Sequence, residues 1–101
     1  MKIKWHRKAR QDLREVRAYI AGDNPQAAAK VAACILQAVE RLPASPGIGR
    51  PGRVMDTREM VIAGTPYLVP YRVMGDVIVI LRVLRDVPSG KPDGFLRPTD
   101  E

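Results

Sequence analysis

Four residues, Gly22-Asp23-Asn24-Pro25, separate two stretches of helical periodicity and constrain the first half of the chain more than anything else in it. Before them, Ala9, Leu13, Val16 and Ile20 recur at spacings of four, three and four, while Arg10, Asp12, Arg14, Glu15 and Arg17 occupy the other faces. That pattern predicts an amphipathic helix from about Lys8 to Ala21. Gly22 then stops the helix, Asn24 caps the next one and Pro25 fits its first turn. The second helix is expected from about Pro25 to Leu42, with Ala28, Val31, Ile35, Val39 and Leu42 on one stripe and alanines that allow close approach. Pro43 ends it. With so short a connection, the two helices must form a hairpin.

The rest of the chain is extended. Ile3 and Trp5 alternate with Lys2, Lys4 and His6, the two-residue period of a half-buried strand. Residues 43–53 hold three prolines and three glycines, which predicts a surface loop without regular structure. Three runs rich in Val, Ile and Tyr follow, Thr57 to Ala63, Tyr67 to Met74 and Val77 to Leu84. Gly75-Asp76 suits a two-residue hairpin turn, with Gly75 at positive φ, so the last two runs should be antiparallel neighbours. Val77 to Leu81 is apolar on both faces and should lie mid-sheet with cover on each side. Pro66 and Pro70 favour an edge or a bulge. From Val87 onward, Pro88, Gly90, Pro92 and Gly94 predict an irregular tail over about 88–101. The expected order is βααβββ, an α+β fold.

At 101 residues and 46% hydrophobic content, the chain suits one domain with one core. No run of about 18 apolar residues occurs, and Met1-Lys2-Ile3-Lys4 leads into charged sequence, so a cytoplasmic protein without a membrane partner is expected. The single Cys34 has no internal disulfide partner and, among Ala32, Ala33, Ile35 and Leu36, reads as core. The net charge is +6, and 12 of the 17 cations are arginine. Arginine suits bidentate contact with phosphate or carboxylate, so nucleic acid, a ribosome or an acidic protein segment are all compatible partners.

The candidate contact residues are arginines. Arg58, Arg72 and Arg82 each lie on an otherwise apolar strand face, and they form a cluster if those faces align. The structural reading is that each pairs with Glu59, Asp76, Asp86 or a partner's carboxylate. Arg50 and Arg53 lie in the Pro/Gly loop, free to meet a partner. Arg85 follows the last strand. Tyr67 and Tyr71 share a strand face and read as packing, while Asp12 and Glu15 read as a solvated helix face. His6, the only histidine, has no ligand-type neighbour at metal spacing, and no nucleotide loop or zinc pattern is present, so no metal or cofactor is expected.

The order of these pieces is itself distinctive. Trp5, Ala9 and Asp12-Leu13 are followed by Tyr19-Ile20-Ala21 and Asn24-Pro25-Gln26-Ala27-Ala28. Then come Gly49-Arg50-Pro51-Gly52, Thr57-Arg58-Glu59, Pro66-Tyr67-Leu68-Val69, Tyr71-Arg72-Val73 and Ile80-Leu81-Arg82-Val83-Leu84. Over roughly residues 3 to 86 this resembles toxins of the RelE/ParE superfamily. The resemblance implies a helical hairpin packed on a small curved, mainly antiparallel sheet, a bacterial cytoplasmic setting, and a cognate antitoxin that wraps a groove of the toxin in a hetero-oligomer. Members that cut mRNA on the ribosome use cations at the phosphate and a tyrosine or histidine in proton transfer. Here Tyr67 is followed by Leu68 where that pattern has arginine, Leu84-Arg85-Asp86 stands where many relatives place a histidine, and the tail offers only Phe95 in place of a tyrosine. The resemblance therefore implies a ParE-like toxin that inhibits DNA gyrase by binding, with no catalytic residue of its own. The alternatives are a ribosome-dependent mRNA endonuclease and a differently targeted relative. Arg85 lies near the position where the nucleases keep a catalytic side chain.

Overall fold

A computed structural model describes residues 1–86. Along the chain run β1 (Lys2–Trp5), α1 (Arg7–Ala21), α2 (Pro25–Glu40), β2 (Arg50–Pro51), β3 (Arg58–Val61), β4 (Tyr67–Met74), β5 (Val77–Ile80) and β6 (Leu84–Arg85). The strands form one sheet in the order β1-β5-β4-β3-β2, with β6 also paired to β4. All pairings are antiparallel except β1 with β5. The fold is α+β, a helical hairpin on a mainly antiparallel sheet. The expected tail over 88–101 lies outside the described residues.

Local chemistry sets the helix ends. His6 caps α1, its Nδ1 accepting the Lys8 N–H at 3.0 Å, a role its alternation with Trp5 did not suggest. Asn24 caps α2 by accepting the Ala27 N–H at 3.1 Å, with Pro25 in the first turn. Gly22 keeps helical angles at φ −58°, and the Asp23 and Asn24 N–H groups both donate to the Ile20 carbonyl, at 3.1 and 2.8 Å. Gly75 has φ +61° in the turn that pairs Met74 with Val77.

The core lies between the hairpin and one sheet face. Ala9 from α1 and Ile35, Val39 and Leu42 from α2 and its C-terminal end meet Met60, Ile62, Tyr67, Val69, Tyr71, Ile78, Ile80 and Val83. Trp5 and Ile3 of β1 pack at its margin. These side chains alternate along the strands with residues on the opposite face, as the pleat requires.

Four expectations are corrected. The Pro/Gly segment contains regular structure, because Arg50 pairs with Glu59 and Pro51 with Arg58 as β2. A sixth strand, β6, follows β5, so the order is βααβββββ. Cys34 is exposed, since the α2 stripe through Ala32, Ile35 and Val39 turns it away from the sheet. β5 lies between β1 and β4 as a mid-sheet strand, yet only Ile78 and Ile80 are buried; Val77 and Val79 face the side without helices.

Pro70 accounts for a register change. β4 pairs Tyr71 with Ile80 on β5 and Leu68 with Leu84 on β6. Between those pairs β4 has Val69 and Pro70, whereas the facing chain has Leu81, Arg82 and Val83, one residue more. Leu81 N–H donates to the Pro70 carbonyl at 2.9 Å, but Pro70 has no N–H to return. The ladder is interrupted there by a bulge, the outcome expected of a proline inside a sheet. The bulge turns Val83 into the core and Arg82 toward α1.

Candidate target-binding face

The sheet face opposite the helices carries the candidate site. Register places Glu59 beside Pro70, Val61 beside Leu68, and Arg72 beside Val79 on this face. Lys2 and Lys4 of β1 join them through pairing with Val77 and Val79. At its centre is a cavity of about 260 Å³ with an apolar floor of Leu68, Pro70, Leu81 and Leu84, bordered by Arg53, Arg72, Arg82 and Arg85 and by Glu59.

Glu59 organises one wall. Its side chain is only 7% exposed, and it accepts the Arg50 guanidinium at 3.3 Å and the Arg53 backbone N–H at 3.1 Å. Asp86 lies 3.8 Å from both arginines. A buried carboxylate needs such partners, and the pairing ties the loop after β2 to β3 and to the end of β6. The loop tip is shaped as well. Thr57 Oγ1 donates to the Val54 carbonyl at 2.6 Å, Gly52 N–H donates to the Thr57 carbonyl at 2.8 Å, and Asp56 is held at φ +64°. Val54 and Met55 protrude from it into solvent.

Arg72 differs from the other arginines. Its Nε is buried without a hydrogen-bond partner among the described residues. An unpaired guanidinium N–H over an apolar floor is a site that an anionic or carbonyl group would satisfy. Arg85 is exposed at the opposite border.

The cluster expected of Arg58, Arg72 and Arg82 does not form. Arg53, Arg72, Arg82 and Arg85 instead border one cavity, with Arg50 joined to them through Glu59 and Asp86. Arg58 is on the helix-side face beside Tyr71, where its guanidinium donates to the carbonyls of Gly49 at 2.8 Å and Gly47 at 3.3 Å. Arg82 borders the cavity, but Asp12 of α1 holds it at 2.7 Å. The faces of Arg58, Arg72 and Arg82 do not align, because Arg72 belongs to the opposite alternation of its strand and the bulge redirects Arg82. Asp12 is not the solvated residue its helix position suggested. Its side chain is 12% exposed and also accepts the Val83 N–H at 3.0 Å. Burial alone would raise the Asp12 pKa, but the hydrogen bonds from Arg82 and Val83 and the nearby positive charges of Arg82 and Lys8 hold it below its ordinary value. The same bond to Asp12 raises that of Arg82.

Lys2 and Lys4 are the site residues that the sequence reading missed, and Glu59, expected only as a partner of Arg58, Arg72 or Arg82, pairs instead with Arg50 and Arg53. The alternation of Lys2 and Lys4 with Ile3 and Trp5 was visible, but nothing local showed that β1 would pair parallel with β5. Tyr67 and Tyr71 pack in the core as expected, and Tyr71 also bonds the loop before β2. Its hydroxyl accepts the Gly49 N–H at 2.9 Å and donates to the Pro46 carbonyl at 2.7 Å. Among the described residues no group of His, Cys, Asp and Glu could hold a metal ion, and no helix is long and apolar enough to cross a membrane.

Comparison with known proteins agrees with this architecture. A family model described as "ParE toxin of type II toxin-antitoxin system, parDE" matches residues 3–86. "Putative toxin Y4kP" of Sinorhizobium fredii is 47% identical over 79 residues, covering 78% of this chain and 82% of that protein. A chain solved under the description "Chromosomal ParDE TA system from P. aeruginosa" superposes with a TM-score of 0.75 at 36% identity, covering 84% of this chain and 95% of that one.

Proposed function

The chain belongs to the ParE toxin family, and from that premise we propose that it inhibits DNA gyrase by binding and is neutralised by a cognate antitoxin. The observation that carries this reading is the arginine-bordered open sheet face. Arg72 presents a buried, unpaired Nε, Arg53 and Arg85 stand beside it, and apolar side chains form the floor. Desolvated arginine beside apolar surface is the composition of a protein-binding hot spot. The basic face, extended by Lys2 and Lys4, favours an acidic surface on the target.

The placement of the proton-transfer candidates supports binding over RNA cleavage. Tyr71 Oη is engaged with Gly49 and Pro46, Tyr67 is in the core, and His6 caps α1. A nuclease of the mRNA-cutting branch needs a base at the 2′-hydroxyl and an acid at the leaving oxygen, and these groups are committed elsewhere.

The test is purified gyrase with relaxed plasmid and ATP, with and without this protein. Loss of supercoiling, with trapped cleaved DNA, is the expected result, and addition of the antitoxin should restore activity. Full gyrase activity at large molar excess of the protein would overturn the reading and direct attention to translated mRNA.

A further inference from the structure

The connection from β2 to β3 ends in a four-residue turn, Val54-Met55-Asp56-Thr57. The Val54 carbonyl accepts the Thr57 N–H at 3.2 Å and the Thr57 hydroxyl at 2.6 Å. Asp56 stands at the third position with φ +64°, and Met55 before it is outside the left-handed region. That is the backbone of a type II turn, which ordinarily takes glycine at the third position. Below the tip, Gly52 N–H donates to the Thr57 carbonyl at 2.8 Å, and a Cβ on Gly52 would collide with the Thr57 hydroxyl. Arg53 N–H donates to the buried Glu59 carboxylate at 3.1 Å. Bonds on both sides hold an unfavourable turn in one shape.

What the turn presents is apolar. Met55 is 83% exposed, the most exposed large apolar side chain among the described residues, and Val54 is 64% exposed. Turn tips ordinarily carry Gly, Asn, Asp or Ser, and neither side chain packs in the core of this chain. The strained turn thus holds apolar groups in water, which gains nothing within the fold. Its position indicates what would gain from it. Arg53 and Val54 border the cavity around which the arginines gather, and Asp56 and Thr57 border a second hollow that Arg72 shares. Arg53 is already offset by Glu59 and Asp86, and Asp56 adds a negative charge at the tip, so a phosphate backbone is a poor match here. The unpaired Nε of Arg72 calls instead for one acceptor beside an apolar contact.

We propose that Met55, with Val54 beside it, anchors this face to gyrase: the tip enters an apolar pocket on the gyrase protein, and Arg72 meets a carboxylate at the pocket's rim. The proposal rests on the gyrase reading above and adds to it the residue that makes the apolar contact and the chemistry of the surface it needs. Methionine suits the role because its unbranched thioether fills irregular apolar cavities. A preformed tip loses little conformational freedom on docking, and the arginines around it exclude water from the contact.

The experiment uses the full chain and purified gyrase, with affinity read in the absence of DNA and inhibition of supercoiling read with relaxed plasmid and ATP. Met55→Ser is expected to weaken both roughly tenfold, and Val54→Ser to act in the same direction. Met55→Leu should recover most of the loss, because it restores an apolar side chain. The thermal midpoint of the free chain should stay at the wild-type value in all three. Inhibition by the wild type without affinity for gyrase alone, or with Met55→Ser unchanged in both readings, would overturn the proposal and leave the gyrase reading standing. Absence of inhibition by the wild type at large excess would overturn both. Binding to duplex DNA without gyrase that Met55→Ser abolishes would assign the tip to a base step and overturn the proposal as well. A lowered thermal midpoint in Met55→Ser would show that the tip packs within the fold, with the same result.

Discussion

Asp12 on α1 grips Arg82 seventy residues away, its Oδ2 2.7 Å from Nε and its Oδ1 3.1 Å from Nη2, while Oδ2 also accepts the Val83 N–H at 3.0 Å. One carboxylate thereby joins the first helix to the bulge that breaks the last long strand. The bulge leaves the Val83 N–H outside the sheet ladder, and Asp12 supplies the acceptor it lacks.

Replacing Asp12 by alanine removes that acceptor along with the ion pair, and the chain should lose about 1–3 kcal/mol of stability. The half-exposed Arg82 keeps the loss below that of a fully buried pair. Asp12→Asn keeps an acceptor for Val83 and should fall between the two. Urea unfolding of the three proteins at neutral pH measures the order.

The Asp12 carboxyl has its pKa lowered from 3.8 in the folded chain, so the unfolded state binds the proton more readily. Its contribution to stability is therefore fully present well above pH 3.8 and disappears as pH falls through the still lower folded value. The stability difference between wild type and Asp12→Asn should be constant from neutral pH down to about pH 5 and shrink below it. Parallel urea titrations across that range would expose the error if the difference instead grew on acidification.

Gly49 sits where a side chain would strike Tyr71, with a built Cβ only 2.7 Å from the tyrosine ring and 3.1 Å from the Glu59 carbonyl oxygen. Gly49→Ala should cost about 1–3 kcal/mol through overpacking. Tyr71→Phe should cost a similar amount, about 1–3 kcal/mol, because the Gly49 N–H loses its acceptor. Gly47→Ala, with nothing within 4 Å of the added carbon, is the matched control. Thermal melts that ranked Gly47→Ala with the other two would show that the loop is not seated as described.

Arg72 buries its Nε without a partner, so its guanidinium adds little to the isolated fold. Arg72→Met should leave stability within about 0.5 kcal/mol of wild type or raise it, while weakening gyrase inhibition at least severalfold. Arg85→Ala should act in the same direction on inhibition. Supercoiling titrations paired with melting curves separate the two effects, and unchanged inhibition by Arg72→Met would exclude its guanidinium from the contact.

Several of these residues were visible in the sequence by type but not by role. The helix stripes through Ala28, Ile35 and Val39 and the turn at Gly75 follow from spacing and turn chemistry, and the structure agrees with both. Pro70 signalled an edge or bulge, and the bulge is present. The arginines at the candidate face were identifiable as cations on apolar strands, yet which of them meet could not be read from periodicity. Arg58 turned to the loop carbonyls and Arg82, though it borders the cavity with Arg53, Arg72 and Arg85, is held by Asp12.

By itself the sequence determined the two helices, their hairpin and the longer strands, because periodicity, caps and turns are interactions among residues close in the chain. The order of its motifs carried the resemblance to the family, whereas the short strands β2 and β6 were not legible in it. Only the tertiary structure decided that β1 would pair parallel with β5, bringing Lys2 and Lys4 onto the open face, and that Asp12 would hold the bulge. It also decided that β2 would form within the Pro/Gly segment and pair with Arg58 and Glu59 of β3. Those outcomes depend on strand register and on pairings between distant segments, where a shift of one residue exchanges the two faces of a strand and no local signal specifies the partner.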